Sequence, residues 1–561
     1  MSKLNSPTTP HASSSRLPAI DTTNLEGPPT LGKDKHKATA ASPRPLGMDG
    51  LSTASRPSSI GGSPVRSTSA IGGLNSLFAV KKTQTAPTSP VHAKPVALDV
   101  DAMVQETART RAVVNMSAVR RNIRRGLALV GSDGVSQVPA RGGAVLKADG
   151  YGVNGKNPAA LAKVLASEGV RDMFVAELSE AVKLRAALKK DRPDLADEVS
   201  INVLGGLDMD ANPKWLLDHD ITPVLNSLAQ VRKWNEIAAG LKAEGKLPPG
   251  GLDCILQFDT GMSRTGIGGD DVDKLMKAIG NKELTHIAPQ LMMSHLAEAG
   301  DADPRTEDPA TKERQPGAKT IEQLGNFDRI GAQLKKFYPD IQESLGASST
   351  VFLGKELHKN MVRMGATFHA QAPFENDTNP LEPTLTVTSK LGPFVKYPPG
   401  KKVGYDGTYT TTRPGGEILG TIPVGYRDML PPGDKWNHES NGKLPTVRLR
   451  TPDGKLHPCT FAGKFSMDMS EINLSDIPED QLKEGLEVVL IDDKMTTGQF
   501  AAQFGVGASY IQTKIASDRV AISHVETDPF PSPAAEAVVD PSPWSKAGRA
   551  KRAEATATAS V

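Results

Sequence analysis

The middle of the chain alternates short apolar runs with amphipathic stretches. Between the runs, apolar residues recur at helical spacing, as in 157–169 and 227–245. The apolar runs lie at 144–148, 173–176, 201–205, 222–226, 254–258, 290–295, 343–348 and 360–365. Short apolar strands separated by helices predict an α/β fold. A (β/α)8 TIM-type barrel over residues 106–375 agrees with this number of runs, and a doubly wound open sheet is the alternative.

The pattern changes near residue 376. From there the chain consists of short β-rich segments separated by turn signals, such as PTLTVTSKL (383–391), EILGTIPVGY (417–426) and EVVLIDD (487–493). Alternating polar and apolar positions without helical periodicity are typical of a sheet domain. We therefore expect a C-terminal all-β domain over residues 376–525.

Both ends of the chain lack such a pattern. Residues 1–105 are rich in Ser and Pro, and residues 526–561 end in an Ala/Thr/Lys/Arg-rich tail. Such segments do not bury enough apolar surface to offset their ordering entropy, so both are predicted to be disordered extensions. We expect a cytoplasmic protein, and a transit or export signal within the N-terminal extension is the alternative.

Composition restricts the function further. In 561 residues, 66 Lys and Arg face 64 Asp and Glu, which leaves a net charge of +2 and favours no nucleic-acid partner. No window holds the roughly 18 consecutive apolar residues of a membrane span, so no membrane association is expected. With Cys254 and Cys459 as the whole cysteine content, a disulfide framework is excluded, and the scattered histidines predict no metal site.

The first candidate for chemistry is Lys147, near the end of an apolar run. An ammonium group is costly in such a place, and a desolvated lysine has a lowered pKa and reacts readily with carbonyl groups. Tyr151 follows four residues later, so its phenol is expected near the same strand end. A lysine whose charged end reaches solvent is the alternative for this residue alone.

Lys147 lies in the first of six motifs that occur in the order and spacing of a known family. The motifs are AVLKADGYG (144–152), FDTGMSRTGI (258–267), SHLAEAGD (294–301), NMVRMG (360–365), VGYDGTY (403–409) with GTIPVGYRD (420–428), and GKFSMDM (463–469). Together they resemble the alanine racemase family of pyridoxal 5'-phosphate enzymes. The resemblance implies a barrel followed by a β-domain, a homodimer, and an amino-acid substrate, with conversion of L-alanine to D-alanine as the expected reaction.

The resemblance also implies catalytic roles. Lys147 would bind the cofactor covalently and act as one base, and Tyr405 of the partner subunit would be the second base. Racemisation needs both, because one base removes the α-proton and the other returns it on the opposite face. His295 and Arg363 match the residues that stabilise the tyrosinate. Arg363 would also face the pyridine nitrogen, which disfavours a decarboxylase built on the same plan.

The remaining family positions concern cofactor and substrate binding. Residues that would hold the phosphate are Tyr151, Ser348, Gly365, Ala366 and Tyr510. Arg264 and Met467 would contact the substrate carboxylate, and Tyr426 resembles a gate of the substrate channel.

Three positions depart from the family pattern. Gln257 stands where members commonly have a carbamylated lysine, Ala347 replaces an asparagine beside the phosphate serine, and Arg427 replaces a small residue. Gln257 would either leave room for an anion beside Arg264 or orient that side chain as a neutral acceptor. These departures leave two alternatives, a racemase of broader spectrum and a catalytically weak effector protein that keeps the fold.

Overall fold

The computed structural model describes residues 99–131, 140–210, 212–310, 314–374, 379–432, 444–515, 518–527 and 540–559. The predicted disorder of residues 1–98 therefore concerns a part of the chain outside the described residues. The described chain begins with helix α1 (Val100–Thr107) and strand β1 (Thr110–Asn115).

A parallel barrel follows. Its strands in the described chain are β2 (Arg141–Val145), β3 (Asp172–Val175), β4 (Ser200–Val203), β5 (Ile221–Leu225), β6 (Leu252–Gln257), β7 (Ile287–Met293), β8 (Gln342–Ser344) and β9 (Met361–Met364). They are hydrogen-bonded in the order β8-β7-β6-β5-β4-β3-β2-β9. A bridge between Ala347 and Arg363 brings the two ends of this order together. Each strand overlaps a predicted apolar run, so the barrel is confirmed and the open sheet is not.

Helices cover the outside of the barrel and bury apolar side chains against it. They are α2 (Met116–Gly131), α4 (Ala160–Ser167), α5 (Leu178–Asp191), α6 (Pro193–Ala196), α7 (Lys214–Asp218), α8 (Leu228–Ala243), α9 (Asp270–Gly280) and α10 (Ala318–Leu334). The short α3 (Lys147–Tyr151) directly follows β2 and contains non-helical backbone. In α8, for example, Val231, Trp234 and Ala238 are buried at helical spacing. No helix in the described ranges is long and apolar enough to cross a bilayer.

The second domain is built from short strands. These are β10 (Leu385–Lys390), β11 (Phe394–Tyr397), β12 (Lys402–Val403), β13 (Tyr409–Thr410), β14 (Glu417–Ile422), β15 (Thr446–Arg450), β16 (Leu456–Thr460), β17 (Ser470–Asn473), β18 (Glu487–Ile491) and β19 (Val520–Val525). The larger sheet has the order β16-β15-β18-β10-β1-β19, and a smaller one has the order β11-β14-β17. Two short helices, α11 (Thr497–Ala502) and α12 (Ala508–Thr513), precede the last strand.

The N-terminal boundary of the barrel differs from the prediction. Strand β1 pairs antiparallel with β10 and parallel with β19, so residues 110–115 belong to the β-domain although they precede the barrel in sequence. The predicted disorder of residues 99–105 is also wrong. They form the start of α1, because Asp99 accepts a hydrogen bond from the Ala102 amide and Gln105 donates to the Ile522 carbonyl of β19.

The C-terminal tail is the second correction. Residues 528–539 and 560–561 lie outside the described residues, but residues 540–559 are ordered and end in helix α13 (Lys546–Ala559). Trp544 is only 1 % exposed. The prediction of disorder failed because a segment with a single large apolar residue has no periodicity of its own, and the barrel supplies the partners of that residue.

Candidate active site

A cavity of about 330 Å3 opens at the carboxyl ends of the barrel strands. The predicted residues that line it are Lys147, Tyr151, Arg264, His295, Ser348, Arg363, Gly365 and Ala366. Six of them come from four separate motifs, and Ser348 and Ala366 lie outside the motifs. All eight meet because the strands of a parallel barrel end on the same side. Gln257 and Ala347, two of the departures from the family pattern, lie in the same wall.

Lys147 is followed by a left-handed turn of the backbone. Ala148, Asp149 and Tyr151 have φ between 52° and 58°, and the two glycines among them, Gly150 and Gly152, have φ of 64° and 80°. Left-handed backbone is unfavourable for residues with a Cβ, and it is maintained where surrounding contacts impose it. The turn directs the chain away from the strand axis directly after the lysine.

Glu180 imposes that turn from the start of helix α5. One carboxylate oxygen accepts the amides of Ala148 and Asp149 at 2.7 and 3.3 Å, and the other accepts those of Ala176 and Glu177 at 2.8 and 3.2 Å. The carboxylate therefore ties the lysine-bearing turn to the end of the neighbouring strand. The sequence interpretation missed Glu180, although its place in the first turn of a helix is a signal for backbone capping.

The surroundings of Lys147 favour the neutral amine. Burial lowers the pKa of Lys147, the positive charge of Arg264 lowers it further, and the Glu180 carboxylate raises it. A larger fraction of the residue is therefore unprotonated at a given pH than for a lysine in water. The unprotonated amine is the form that attacks a carbonyl group.

Arg363 points into the barrel and is held there by oxygen acceptors. One terminal nitrogen donates to the Ser344 carbonyl at 2.8 Å and to the Ser344 hydroxyl, and the other donates to the Ser294 carbonyl. Burial lowers the pKa of Arg363 to about 10, so the guanidinium remains charged at neutral pH. Its contacts fix a positive charge within the cavity wall.

His295 lies close to this charge. Burial lowers the pKa of His295 to about 3, and the charges of Arg363, Arg264 and Lys147 contribute in the same direction. The imidazole is therefore neutral throughout the neutral pH range. Two histidines that sequence analysis did not single out are also buried, and one of them, His369, packs on the Tyr151 ring with centroids 4.7 Å apart.

Hydroxyl and amide groups gather at one end of the cavity. Ser348 Oγ accepts the amides of Gly365 and Thr367 at 2.9 and 3.1 Å, which leaves its own proton for another acceptor. A Cβ at position 365 would lie 2.5 Å from the Tyr151 hydroxyl, so glycine allows the backbone to come close. Burial raises the pKa of Tyr151 to about 12, so the phenol stays protonated and can donate. This set of neutral donors suits an anion such as a phosphate group.

Four predicted residues do not line this cavity. Tyr405 is 66 % exposed and Met467 is 52 % exposed. With Tyr426 they lie along one edge of the β-domain, since the Tyr426 amide donates to the Ser466 carbonyl and the backbone at Gly404 lies against Lys464. Tyr510 packs under the Lys514 ammonium, and its neighbour Ser509 reaches the cavity instead.

Comparison of the sequence with known protein families and proteins identifies the family. The family model described as alanine racemase, N-terminal domain, matches residues 114–373, and that described as alanine racemase, C-terminal domain, matches residues 384–523. A catabolic alanine racemase of Rhizobium johnstonii is 32 % identical over 393 residues, which cover 70 % of this chain and 89 % of that protein. The chain belongs to the alanine racemase family.

Solved alanine racemase structures share the fold. The alanine racemase of Streptomyces coelicolor is 25 % identical with a TM-score of 0.59, and the match covers 76 % of this chain and all of that one. The alanine racemase of Bartonella henselae, solved with covalently bound pyridoxal phosphate, is 24 % identical with a TM-score of 0.59 over 74 % of this chain and all of that one. The fold and family predicted from the six motifs are thus confirmed.

The departures from the alanine racemase pattern have defined surroundings. Gln257 is buried, and its amide nitrogen donates to the Thr265 carbonyl at 3.3 Å. It therefore holds the loop next to Arg264 through the backbone. Arg427 is engaged elsewhere, with Asp518 at 2.9 Å.

Proposed function

We propose that the protein is a pyridoxal-phosphate-dependent racemase that interconverts L- and D-alanine at two sites shared across a homodimer. The observation that carries the proposal is the cavity in which Lys147, with a lowered pKa, lies with the buried cation of Arg363 and a cluster of neutral anion donors. Membership of the alanine racemase family and the cofactor of the Bartonella structure support the same function.

The residues fit the cofactor. Lys147 would bind it covalently, Arg363 would face the pyridine nitrogen, and Tyr151, Ser348 and the backbone at residues 365 and 366 would hold the phosphate. When bound, pyridoxal phosphate supplies an electron sink that stabilises negative charge at the substrate Cα. An arginine rather than a carboxylate at the nitrogen limits that delocalisation and favours reprotonation over other outcomes.

Racemisation needs a proton acceptor on one face of the substrate and a donor on the other. Lys147 Nζ is one of these groups, because its neutral form is favoured by burial. Tyr405 of the partner subunit is the other. Its exposure on an edge that also carries Met467 supports a role across a subunit interface, where large apolar groups are commonly covered.

The other charged and polar groups act on the surroundings of the bases and on the substrate. Neutral His295 next to the Arg363 cation accepts or donates one hydrogen bond without adding a second charge. Arg264, exposed in the single chain, would bind the substrate carboxylate. Gln257 would keep the loop of Arg264 in place through Thr265.

The test is chiral analysis of L-alanine after incubation with the protein and pyridoxal phosphate. We expect D-alanine to accumulate to an equal mixture, and we expect Lys147→Ala to abolish both turnover and the visible absorbance of the bound cofactor. Lys156→Ala, which removes a lysine whose side chain is 61 % exposed, is the matched control. A Lys147→Ala enzyme with turnover equal to that of Lys156→Ala would refute the assignment.

A racemase of broader spectrum is the second candidate, and Gln257 favours it. A neutral side chain engaged with the backbone leaves Arg264 without the anionic partner of other family members. The same incubation with a panel of L-amino acids separates the two. Turnover of several side-chain sizes at rates similar to that of alanine would establish the broader enzyme.

A further inference from the structure

The C-terminal segment 540–559 lies beyond both family matches and returns to the barrel. It docks on the side opposite the cavity, where the strands begin. The Ser542 amide donates to the Glu198 carbonyl at 3.0 Å, and the Ser542 hydroxyl donates to Asp172, the first residue of β3, at 2.6 Å. A Cβ on Gly548 would collide with the Ser542 carbonyl, so the close approach of the first turn of α13 to Ser542 depends on this glycine.

Trp544 enters the barrel from that side. Its indole nitrogen donates to Asn202 Oδ1 in β4 at 3.1 Å, and the Arg141 guanidinium lies 5.1 Å from its ring. Inside the barrel it packs in one cluster with Phe174, Val224, Ile255, Leu291, Met293 and Met361. A tail residue thus completes the interior packing of the barrel.

This cluster lies directly beneath the candidate active site. Val145, Met293 and Met361 precede Lys147, His295 and Arg363 by two residues each. Met361 and Arg363 both lie in β9, where residues two apart point to the same side, about 6.6 Å apart along the strand. Val145 and Met293 are the last residues of β2 and β7, so Lys147 and His295 follow just beyond those strand ends. Met293 belongs to the Trp544 cluster, Val145 and Leu204 pack against it, and all three also line the cavity. The cluster that contains the indole therefore forms part of the cavity wall.

Ion pairs hold the segment in place. Arg549 binds Asp220 and donates to the Trp544 carbonyl at 2.6 Å, and Arg552 lies 3.2 Å from Asp253. Asp253 is buried, and its pKa is raised by burial and lowered by Arg552 and Arg549. A buried carboxylate at the base of the barrel is costly without cationic partners, and the tail supplies two. The acidic side chains at the base of the barrel are therefore paired with arginines of the C-terminal segment.

We propose that Trp544 is a positioning residue for the active site: it supports from below the layer that carries Lys147, His295 and Arg363. The proposal rests on the proposed function of the cavity. It assigns to the C-terminal segment the role of a fixed floor, without which these side chains lose their shared geometry.

The test compares Trp544→Ala and Trp544→Phe with Trp215→Ala, which removes an indole that is 56 % exposed. All are assayed well below their own melting temperatures. For Trp544→Ala we expect weaker retention of pyridoxal phosphate and a shifted visible absorbance of the bound cofactor. We also expect kcat to fall by about tenfold to a hundredfold. The change in KM should be smaller, since Arg264, which would bind the substrate carboxylate, is not in the supported layer. Trp544→Phe should recover part of each property.

The outcomes are distinct. If Trp544→Ala matches Trp215→Ala in cofactor retention, absorbance and kcat, the proposal is wrong. If Trp544→Ala does not fold, Trp544→Phe decides: native cofactor retention, absorbance and kcat in that variant would overturn the proposal, and a reduced kcat with weaker retention would support it. If the unmodified protein shows neither cofactor absorbance nor racemisation, the proposed function fails instead.

Discussion

Glu180→Gln tests how the lysine-bearing turn is held. In the native protein the carboxylate accepts two short bonds, from Ala148 at 2.7 Å and Ala176 at 2.8 Å, and two longer ones. Bonds to a charged acceptor contribute about 1.5–3 kcal/mol each, so the two short ones contribute about 3–6 kcal/mol. The three non-glycine residues with left-handed backbone cost about 1–2 kcal/mol each, which is about 3–6 kcal/mol in total. The stabilisation by the two short hydrogen bonds therefore nearly offsets the cost of the left-handed backbone.

Glutamine keeps one acceptor oxygen and turns an amide group toward the donors of the other pair. We expect the free energy of unfolding to fall by about 1.5–3 kcal/mol, half of the contribution of the short bonds. Loss of the negative charge also lowers the pKa of Lys147 further, because Glu180 raises that pKa in the native protein. The amine form is then present at lower pH, so the rate of cofactor capture by the apoprotein should rise with pH at a lower midpoint than in the native protein.

Urea unfolding followed by circular dichroism measures the first effect, and stopped-flow absorbance during addition of pyridoxal phosphate measures the second. Glu236→Gln is the control, since that carboxylate is 70 % exposed on α8 and its nearest cation is 3.7 Å away. The reasoning is refuted if Glu180→Gln unfolds at the same urea concentration as Glu236→Gln and captures the cofactor with an unchanged pH midpoint.

Three further outcomes are expected. Inactive Lys147→Ala and Tyr405→Phe dimers, mixed under subunit exchange, should form heterodimers in about half of the population. About a quarter of all sites are then intact, so activity should return to about a quarter of the native value. No recovery despite proven exchange would contradict a shared site. The pKa of His295 is lowered to about 3, so the imidazole is neutral at neutral pH. The racemisation rate plotted against pH should therefore show no inflection from His295 near the ordinary histidine pKa of about 6.5. An inflection there that disappears in His295→Gln would contradict this. Activity should not depend on dissolved carbon dioxide, since Gln257 cannot be carbamylated, and recovery by bicarbonate after its removal would argue otherwise. Dependence on chloride would indicate an anion beside Arg264.

Most of the barrel was predictable because its strands are buried on both faces and form continuous apolar runs. The cavity side chains were predictable for a different reason. Lys147, His295 and Arg363 lie within or just after such runs, in motifs whose order matches a family. The lowered pKa of His295 was not predictable in the same way, because it follows first from burial of the ring and then from the charges of Arg363, Arg264 and Lys147, which come from other parts of the chain.

The features that sequence analysis missed depend on long-range contacts. Trp544 binds Asn202, which lies 342 residues earlier in the chain, and its own segment has no periodicity. Glu180 is one acidic residue among many, and its four backbone donors come from two separate segments. Strand β1 alternates buried and exposed residues as a half-solvated strand does, but six residues contain no information on which sheet they join.

Strand β1 and the C-terminal segment have a joint consequence for how the molecule is made. The first described strand completes the second domain, where Arg111 pairs with Thr388 and Thr110 with Val520, while the last described segment completes the first domain. The β-domain is thus completed by β1, which precedes the barrel in sequence, and the barrel is completed by residues 540–559, which follow the β-domain. During synthesis β1 leaves the ribosome long before its partners exist, and the base of the barrel lacks Trp544 until residues 540–559 have been made. Separating the protein at the apparent junction near residue 376 would therefore give two fragments that each lack a piece carried by the other.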